Sequence, residues 1–440
     1  MNGSSLRDLD RAHVWHPFTQ AATAPDPLVI RQARGSRLET QDGRVLLDLI
    51  SSWWVNVHGH AHPALAHAIA RQAQTLEQVI FAGCTHEPAV RLAARLAGLL
   101  PGDLQRVFFS DNGSTAVEVA LKMVLQAARN RGQLRRRIAA CAGGYHGDTF
   151  GAMAAGRGSG FFSAFHPWLF DVDMLPFPAT WHGDEQVLNR EARALAVLDD
   201  YLATWGGDCA GLIVEPLIQG AGGMRMCRPE FLRALAQRLQ ACGVPLILDE
   251  VMTGFGRTGH LFACLAAGVT PDVICLSKGL TGGFLPLSVT VCRPWVYEAF
   301  LQDSFDFALA HGHSFTANPL GCAAALASLD LFDDPGVWEH IATIAALHAQ
   351  RLQEVATLPG VRRPRQCGTV AALDLEAGRE GYDSELAPAL KSFFLERNLL
   401  LRPLGNTLYL LPPYCVTAEE LHQGWDAVAE AARVFGGGRA

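Results

Sequence analysis

The middle of the chain alternates short apolar runs with longer amphipathic stretches, and this alternation constrains the fold more than any other feature. Five apolar runs are predicted to be buried strands, at 107–109, 138–142, 211–214, 245–248 and 273–276. Helical patterns separate them at 115–129, 189–205 and 229–242. Strands that alternate with helices form crossover units, so the sequence predicts an α/β fold with a mostly parallel sheet. Ligands of such sheets bind beyond the carboxyl ends of the strands.

Both ends of the chain have a different pattern. The N-terminal part alternates apolar and polar residues around Asp42-Gly43, which is typical of a hairpin. After a break in the middle pattern, the sequence predicts a strand at 369–375, a helix at 384–398, a short hairpin at 399–411 and a helix from Thr417. We therefore predict an N-terminal segment, 1–55, that packs with a small α+β domain, 333–440, beside a large domain, 56–332.

Composition excludes several classes of protein. The 440 residues carry 36 basic and 43 acidic side chains, and this net charge of −7 gives no electrostatic footprint for nucleic acid. Eleven cysteines without a Cys-x-x-Cys pair are typical of reduced thiols in the cytoplasm. The polar start of the chain lacks a signal-peptide core, and no run of about 18 apolar residues could span a membrane. We expect a soluble, cytoplasmic protein that binds neither membrane nor nucleic acid.

The most informative side chains follow two neighbouring predicted strands. Asp249 ends one apolar run, and Lys278 follows the next, so both should face one crevice at the sheet edge. A partly desolvated lysine has a lowered pKa and can form an imine with a carbonyl group, while a buried aspartate can pair with a protonated pyridine nitrogen. This chemistry is what pyridoxal phosphate requires. An ordinary ion pair at the sheet edge is the alternative interpretation.

A phosphate site is predicted where residues 110–115 follow one strand and open a helix. Free N–H groups and the dipole at a helix start bind phosphate, Gly113 allows close approach of the backbone, and Ser114 adds a hydroxyl group. Thr115 and Glu118 have the spacing of a capping box. The alternative is a plain helix cap.

An aromatic ring lies among glycines just after another predicted strand. Tyr145 occupies the middle of the segment 143–147, where a loop could present its ring for stacking on a planar cofactor. A tyrosine that only packs at a turn would have the same pattern.

Two patterns suggest other functions. Residues 254–259 match the G-x-G-x-x-G fingerprint of dinucleotide-binding proteins, which would indicate a nicotinamide oxidoreductase. That fingerprint needs an acid after the second strand, where this chain has Ser277-Lys278, and Asp249-Glu250 would repel a pyrophosphate. Closely spaced histidines at 58–62 and 311–313 lack a clear acidic or thiol partner, so no metal site is predicted.

These motifs occur together in an order that resembles the class III, or omega, aminotransferases, which are fold-type I pyridoxal phosphate enzymes. The matching segments are 110–114, 144–148, 215–216, 248–259, 277–279 and 311–318. The resemblance covers about residues 14 to 430. It implies a large cofactor-binding domain with a mostly parallel sheet, a small α+β domain, pyridoxal 5'-phosphate as cofactor, and transamination in two half-reactions.

The resemblance also implies a role for each cofactor-binding residue. Lys278 binds the cofactor covalently and then moves the proton, and Asp249 pairs with the pyridine nitrogen. Tyr145 stacks on the ring, and together these three are the predicted catalytic residues. Gly113 and Ser114 bind the phosphate.

Three further segments, 15–20, 51–60 and 401–414, resemble a subgroup that aminates 8-amino-7-oxononanoate in biotin biosynthesis with S-adenosyl-L-methionine as donor. In this comparison Trp53 and Trp54 line the substrate pocket, Arg402 holds the substrate carboxylate, and Tyr409 lies near it. The predicted substrate-binding set is Trp53, Trp54, Tyr145, Lys278, Gly312, Arg402 and Tyr409. Lysine as the donor, or a different omega-aminotransferase acting on diamines or omega-amino acids, is the alternative.

The resemblance further implies a homodimer with shared active sites, because Ser314, preceded by Gly312, would reach the phosphate in the neighbouring subunit. Some members have tyrosine where this chain has Phe18, and proline where it has His313. The segment 156–165 also differs and could contact the donor. These departures bear on the identity of the amino donor more than on that of the acceptor.

Overall fold

A computed structural model describes residues 5–157, 162–379, 381 and 384–437. The helices are α1 Leu6–His13, α2 Ser51–Trp54, α3 Pro63–Ala73, α4 Glu87–Leu99, α5 Gly113–Asn130, α6 Phe150–Ala155, α7 Val187–Trp205, α8 Pro229–Ala241, α9 Ala263–Ala267, α10 Pro294–Glu298, α11 Pro319–Phe332, α12 Pro335–Ala356, α13 Leu386–Glu396 and α14 Ala418–Phe435. Short 3-10 helices cover Ser163–Trp168, Lys278–Thr281 and Phe305–Phe307.

The strands pair into several sheets. They are β1 Ile30–Arg34, β2 Arg37–Thr40, β3 Val45–Asp48, β4 Arg106–Ser110, β5 Arg137–Cys141, β6 Asp173–Leu175, β7 Cys209–Val214, β8 Ile218–Gln219, β9 Arg225–Met226, β10 Leu246–Asp249, β11 Val273–Leu276, β12 Ser288–Cys292, β13 Val361–Cys367, β14 Val370–Leu375, β15 Leu399–Leu400 and β16 Thr407–Leu410. All five strands predicted from apolar runs are present within one or two residues. They are β4, β5, β7, β10 and β11.

The largest sheet has seven strands in the order β4-β12-β11-β10-β7-β5-β6. Only β12 runs antiparallel to its neighbours, so the predicted α/β fold with a mostly parallel sheet is confirmed. Every residue of β7, β10, β11 and β12 is buried, because helices cover both faces. The parallel order places the carboxyl ends of β10 and β11 side by side.

The two ends of the chain meet in a smaller sheet. Strands β2 and β3 form the hairpin predicted around Asp42-Gly43, and β15 pairs in parallel with β3. Leu399 lies opposite Leu47, and Leu400 lies opposite Asp48. This pairing brings the segment that follows β15 beside the segment that follows β3. The division into domains at 55 and 332 stays a prediction.

One predicted element is wrong. The segment 399–411 does not fold into a hairpin of two partner strands, because β15 pairs with β3 whereas β16 pairs with β14. Only an isolated bridge joins Leu404 to Thr407. Within the described ranges, no helix is both long and apolar enough to cross a membrane.

Candidate active site

A cavity of about 580 Å³ opens at the carboxyl ends of β10 and β11. Nine of the eleven predicted site residues line it, namely Trp53, Trp54, Gly113, Ser114, Tyr145, Asp249, Lys278, Arg402 and Tyr409. Gly312 and Ser314 lie elsewhere. Their loop is on the surface, where the Ser314 carbonyl oxygen accepts a hydrogen bond from Gln78 Nε2 at 3.0 Å. The structure thus gathers residues that lie as far apart in sequence as 53 and 409.

Asp249 ends the buried strand β10 and directs its carboxylate into the cavity. Its Oδ2 lies 2.7 Å from His146 Nδ1, and its Oδ1 accepts the backbone N–H of Val251 at 3.1 Å. Burial opposes protonation of His146, but the hydrogen bond to Asp249 and the charges of Asp249 and Glu215 raise the pKa of this imidazole overall. The contact orients the carboxylate.

Lys278 follows β11 and has a backbone φ of 48°, a left-handed conformation that is strained for a residue with a side chain. Its Nζ lies 5.0 Å from the centre of the Trp54 ring. Burial lowers the pKa of Lys278, and the charges of Asp249 and Glu215 offset this effect only in part. Among the described residues, no carboxylate lies within 4.0 Å of this amine. The alternative of an ordinary ion pair with Asp249 is therefore not supported, and the amine remains available as a nucleophile.

The start of α5 provides N–H groups at the cavity. Asn112 caps the helix, with its side chain accepting from Thr115 N while Thr115 Oγ1 accepts from Asn112 N, each at 3.1 Å. In the part of the chain that is described, the N–H groups of Gly113 and Ser114 have no protein acceptor. The helix start can therefore bind an anion such as a phosphate group.

The predicted capping box of Thr115 and Glu118 is wrong by three residues, because Asn112 begins the helix earlier. Glu118 instead accepts the backbone N–H groups of Gly151 and Ala152, at 2.7 and 3.1 Å, at the start of α6. The carboxylate of Glu118 thus connects α6 to α5.

Close packing requires a glycine at position 113, which the sequence did not reveal. A Cβ at this position would lie 2.7 Å from Val251 Cγ1, so only glycine lets the helix start approach the residues after Asp249. Gly147, with φ 123°, is equally constrained, because its Cβ would lie 2.1 Å from Ser114 Oγ. These two glycines bring the start of α5, the end of β10 and the loop of Tyr145 together.

Tyr145 lies in the loop that follows β5, and its ring borders the cavity. The ring stacks on Phe162, with centroids 5.9 Å apart and planes inclined by 24°. Glu215 Oε2 accepts the backbone N–H of Tyr145 at 2.9 Å, and Glu215 Oε1 accepts that of Gly220 at 3.0 Å. Burial, helped by the charge of Asp249 and opposed by His146, raises the pKa of Glu215 to about 7.

An aromatic wall closes another side of the cavity. Trp54 Nε1 donates to Tyr409 Oη at 3.0 Å, and the guanidinium carbon of Arg402 lies 4.3 Å from the centre of the Trp53 ring. The edge of Phe18 meets Trp53 at a centroid distance of 5.8 Å. Among the described residues, no carboxylate pairs with Arg402. An apolar chain that ends in a carboxylate fits this wall.

Two positioning residues were not assigned a role from the sequence. His146 and Glu215 contact the backbone or side chains of Tyr145 and Asp249. The available signal was their location, since each follows the end of a strand of the main sheet, β5 or β7. Residues 158–161, part of the segment predicted to contact the donor, lie outside the described residues.

The geometry at 254–259 argues against a dinucleotide site. Both carboxylate oxygens of Glu250, which is fully buried, accept N–H groups at the start of α9, from Ala263 at 2.6 Å and from Cys264 at 2.7 Å. A pyrophosphate would need these same N–H groups. A Cβ on Gly256 would lie 2.9 Å from Tyr414 Oη, so this glycine serves close packing.

Comparisons with known proteins agree with this geometry. The sequence model of the family Aminotransferase class-III matches residues 19–432. The adenosylmethionine-8-amino-7-oxononanoate aminotransferase of Synechococcus elongatus is 56% identical over 418 residues, which are 95% of this chain and 98% of that protein. The protein of the same name from Geobacter sulfurreducens is 39% identical and covers 99% of this chain and 98% of its own length.

Solved structures extend the similarity to the fold. The crystal structure of adenosylmethionine-8-amino-7-oxononanoate aminotransferase from Methanocaldococcus jannaschii has a TM-score of 0.90 at 32% identity, and covers 98% of this chain and 99% of that one. An omega transaminase from Pseudomonas jessenii, solved in complex with PMP, has a TM-score of 0.92 at 25% identity, with 99% and 100% covered.

Proposed function

Because the chain belongs to the class-III aminotransferase family, we propose that it transfers an amino group to 8-amino-7-oxononanoate, which yields 7,8-diaminononanoate in biotin biosynthesis. S-adenosyl-L-methionine is the proposed amino donor. The observation that carries this proposal is the cavity in which Lys278, Asp249 and Arg402 meet, in a chain 56% identical to a relative of that name. The enzyme works in the cytoplasm.

The residues at the cavity fit pyridoxal 5'-phosphate as the cofactor. Lys278 Nζ, which has no carboxylate partner in the described structure, would bind it covalently, and the Asp249 carboxylate would pair with its ring nitrogen. Tyr145 would stack on its ring, while Gly113 and Ser114 would hold its phosphate at the start of α5. When bound, this group supplies an electron sink for negative charge that develops on the substrate carbon.

Side chains of the protein perform the proton transfers. Asp249, oriented by His146, holds a proton at the ring nitrogen, because an adjacent negative charge favours the protonated form. Lys278 Nζ would take the proton from the substrate carbon that bears the amino group and would deliver it to the cofactor carbon. The lowered pKa of this amine favours the neutral form that a base requires.

Substrate recognition follows from the aromatic wall. Trp53 and Trp54 contact the aliphatic chain of the oxononanoate, and the fork of the Arg402 guanidinium binds its terminal carboxylate. Tyr409, hydrogen-bonded to Trp54, fixes one of these rings. Lys278 and Tyr145 line the same cavity, and the ketone reacts at Lys278.

A second copy of the chain completes the site in this proposal. Ser314 and Gly312 are exposed on a loop outside their own cavity, which agrees with a role in the cavity of a partner. The proposed assembly is therefore a homodimer in which the hydroxyl group of Ser314 reaches the phosphate bound by the other subunit.

A spectroscopic half-reaction tests the function. The purified holoenzyme should be yellow, and S-adenosyl-L-methionine should bleach the visible band more efficiently than lysine or other amines. Adding 8-amino-7-oxononanoate should then restore the band and yield the diamine. Lys278→Ala is the control and should show neither the band nor turnover. If lysine or a simple omega-amino acid reacted best, the donor or the whole substrate assignment would be wrong.

A further inference from the structure

The segment that carries the two tryptophans is strained. Although assigned as helix α2, it contains Ser51, Ser52 and Trp54 at φ values of 51°, 59° and 66°, in the left-handed region that residues with side chains avoid. Such conformations persist only where the surroundings enforce them. The question is which contacts hold this turn against the cavity.

The side chain of Asp48 holds this turn in place. Its side chain is fully buried at the end of β3, where Oδ1 accepts the N–H of Ile50 at 3.0 Å. Oδ2 accepts the N–H of Ser52 at 2.6 Å and lies 2.9 Å from His60 Nε2. One carboxylate thus binds backbone groups on both sides of Ser51, and three donors satisfy it.

The same turn is connected to the strands that carry the other wall residues. Ser51 Oγ donates to the carbonyl oxygen of Leu411 at 2.8 Å, two residues after Tyr409. Asp48 itself lies opposite Leu400 in the parallel pair of β3 and β15, two residues before Arg402. A shift of the turn would therefore separate the tryptophans from the residues against which they pack.

We propose that Asp48 is a positioning residue for the acceptor substrate, whose carboxylate holds Trp53 and Trp54 in register with Arg402 and Tyr409. This inference deepens the proposed function and rests on it. The ligand class it selects is an aliphatic chain of medium length that ends in a carboxylate. Lys278 and Asp249 lie on other strands, and among the described residues no hydrogen bond joins either side chain to the turn. Lys278 Nζ meets the turn only at the ring of Trp54, 5.0 Å from its centre.

The test is Asp48→Asn in the holoenzyme. The amide keeps the shape, but its nitrogen cannot accept from Ser52 or His60. We expect the KM for 8-amino-7-oxononanoate to rise about tenfold, with kcat and the visible absorbance band close to those of the wild type. Binding of nonanoate, a chain acid that cannot react, should weaken by a similar factor in a fluorescence titration.

Asp272→Asn is a matched control. That carboxylate also accepts a backbone N–H and an indole N–H, from Leu246 and Trp295, each at 2.9 Å, but it lies outside the cavity. The control should lose stability without any change in KM or nonanoate binding. If Asp48→Asn behaved in the same way, or raised both substrate KM values equally, the inference would be overturned.

A second variant covers the case in which Asp48→Asn does not fold. His60→Phe removes one donor to the carboxylate and should raise the same KM and weaken nonanoate binding, by a smaller factor. Unchanged values for this variant would count against the inference. Absence of wild-type turnover with the oxononanoate would contradict the proposed function instead, while nonanoate binding still reports on the turn.

Discussion

The charges of the Asp249 and Glu215 carboxylates act to raise the pKa of Lys278, yet burial outweighs them and lowers it overall. At the residue scale this balance is what separates a reactive amine from a structural ion pair. The sequence predicted both strand-end residues, because an apolar run that stops at a charged side chain marks a sheet edge. It did not reveal His146 as the partner of Asp249, since that contact spans 103 positions of the chain.

The lowered pKa of Lys278 has a consequence for the stability of the cofactor-free protein. Between this pKa and about 10.4, the native state binds fewer protons than the unfolded chain. The buried lysine therefore lowers the free energy of unfolding by its full amount below that pH window. This loss of stability disappears as the pH rises through the window. Lys278→Met should melt at a higher temperature than the wild type at pH 7, and the difference should vanish above pH 10.5.

Exposed Lys391 offers the matched control, because Lys391→Met removes a charge that is already in water. Its melting temperature should follow that of the wild type at every pH. If Lys278→Met melted at a higher temperature than the wild type by the same amount at every pH, packing and not the buried charge would cause the difference.

Arg402 is expected to discriminate between the two substrates. Its guanidinium lies against Trp53 and has no acidic partner among the described residues, so a substrate carboxylate can accept two of its N–H groups. Arg402→Ala should raise the KM for 8-amino-7-oxononanoate by about tenfold to a hundredfold, and that for the donor far less. Arg402→Lys keeps the charge without the fork and should recover part of the loss. Equal effects of Arg402→Ala on both substrates would contradict the role.

At the scale of secondary structure, fully buried strands were predicted best. The apolar runs of β10 and β11 are unambiguous, whereas β12 was not predicted because Ser288 and Thr290 interrupt its apolar pattern. Both side chains are buried in the structure and donate to backbone carbonyl oxygens, those of Asn112 and Ala116, at 2.7 and 2.8 Å. Hydrogen bonds to α5 and its cap thus allow two polar side chains to be buried in this strand, so the apolar pattern alone does not reveal it.

The wrong hairpin at 399–411 has a related cause. Two short apolar runs around Gly405 have the pattern of paired strands, but each finds its partner in a distant part of the chain. Leu400 lies opposite Asp48 in the pair of β15 and β3, and Leu408 lies opposite Leu373 in the pair of β16 and β14. Local pattern could not predict this outcome, because the choice depends on where the N-terminal hairpin lies.

Packing of α5 on the end of β10 leads to a prediction about cofactor affinity. Gly113→Ala would place a methyl group 2.7 Å from Val251 Cγ1, so the helix start or the residues after Asp249 must move apart. We expect a destabilisation of about 1–3 kcal/mol and a roughly tenfold weaker affinity for pyridoxal phosphate. Thermal melting and a titration of the cofactor-free protein, followed by visible absorbance, measure the two effects.

The double variant Gly113→Ala/Val251→Ala separates this packing effect from an effect on the phosphate. It removes the methyl groups that collide, so stability and cofactor affinity should recover most of the loss. If affinity stayed low while stability recovered, the added methyl group would obstruct the phosphate itself, and close approach of the cofactor would be the reason for the glycine.

At the scale of the whole molecule, two predicted site residues, Gly312 and Ser314, do not line the cavity of their own chain. Trp15 is 93% exposed and Phe315 is 60% exposed, and Ser314 lies on the surface outside the cavity. Both aromatic side chains are available for contact with a second copy in the proposed homodimer. The homodimer with shared sites stays a prediction. It comes only from the family resemblance, because no local sequence pattern shows which chain a loop will contact.

Mixing two inactive variants tests whether the sites are shared. Ser314→Glu would place a negative charge against the phosphate of the partner site, and Lys278→Ala inactivates its own site, so neither homodimer should turn over. In the mixed dimer, the subunit with intact Lys278 receives an intact Ser314 from its partner. Equal mixing after dissociation should therefore restore about a quarter of the wild-type activity, since about half of the dimers are mixed and each has one complete site. Ser314→Thr keeps the hydroxyl group and should remain active alone. If Ser314 served its own subunit, no mixture would recover activity, because every site would lack either the lysine or the hydroxyl group.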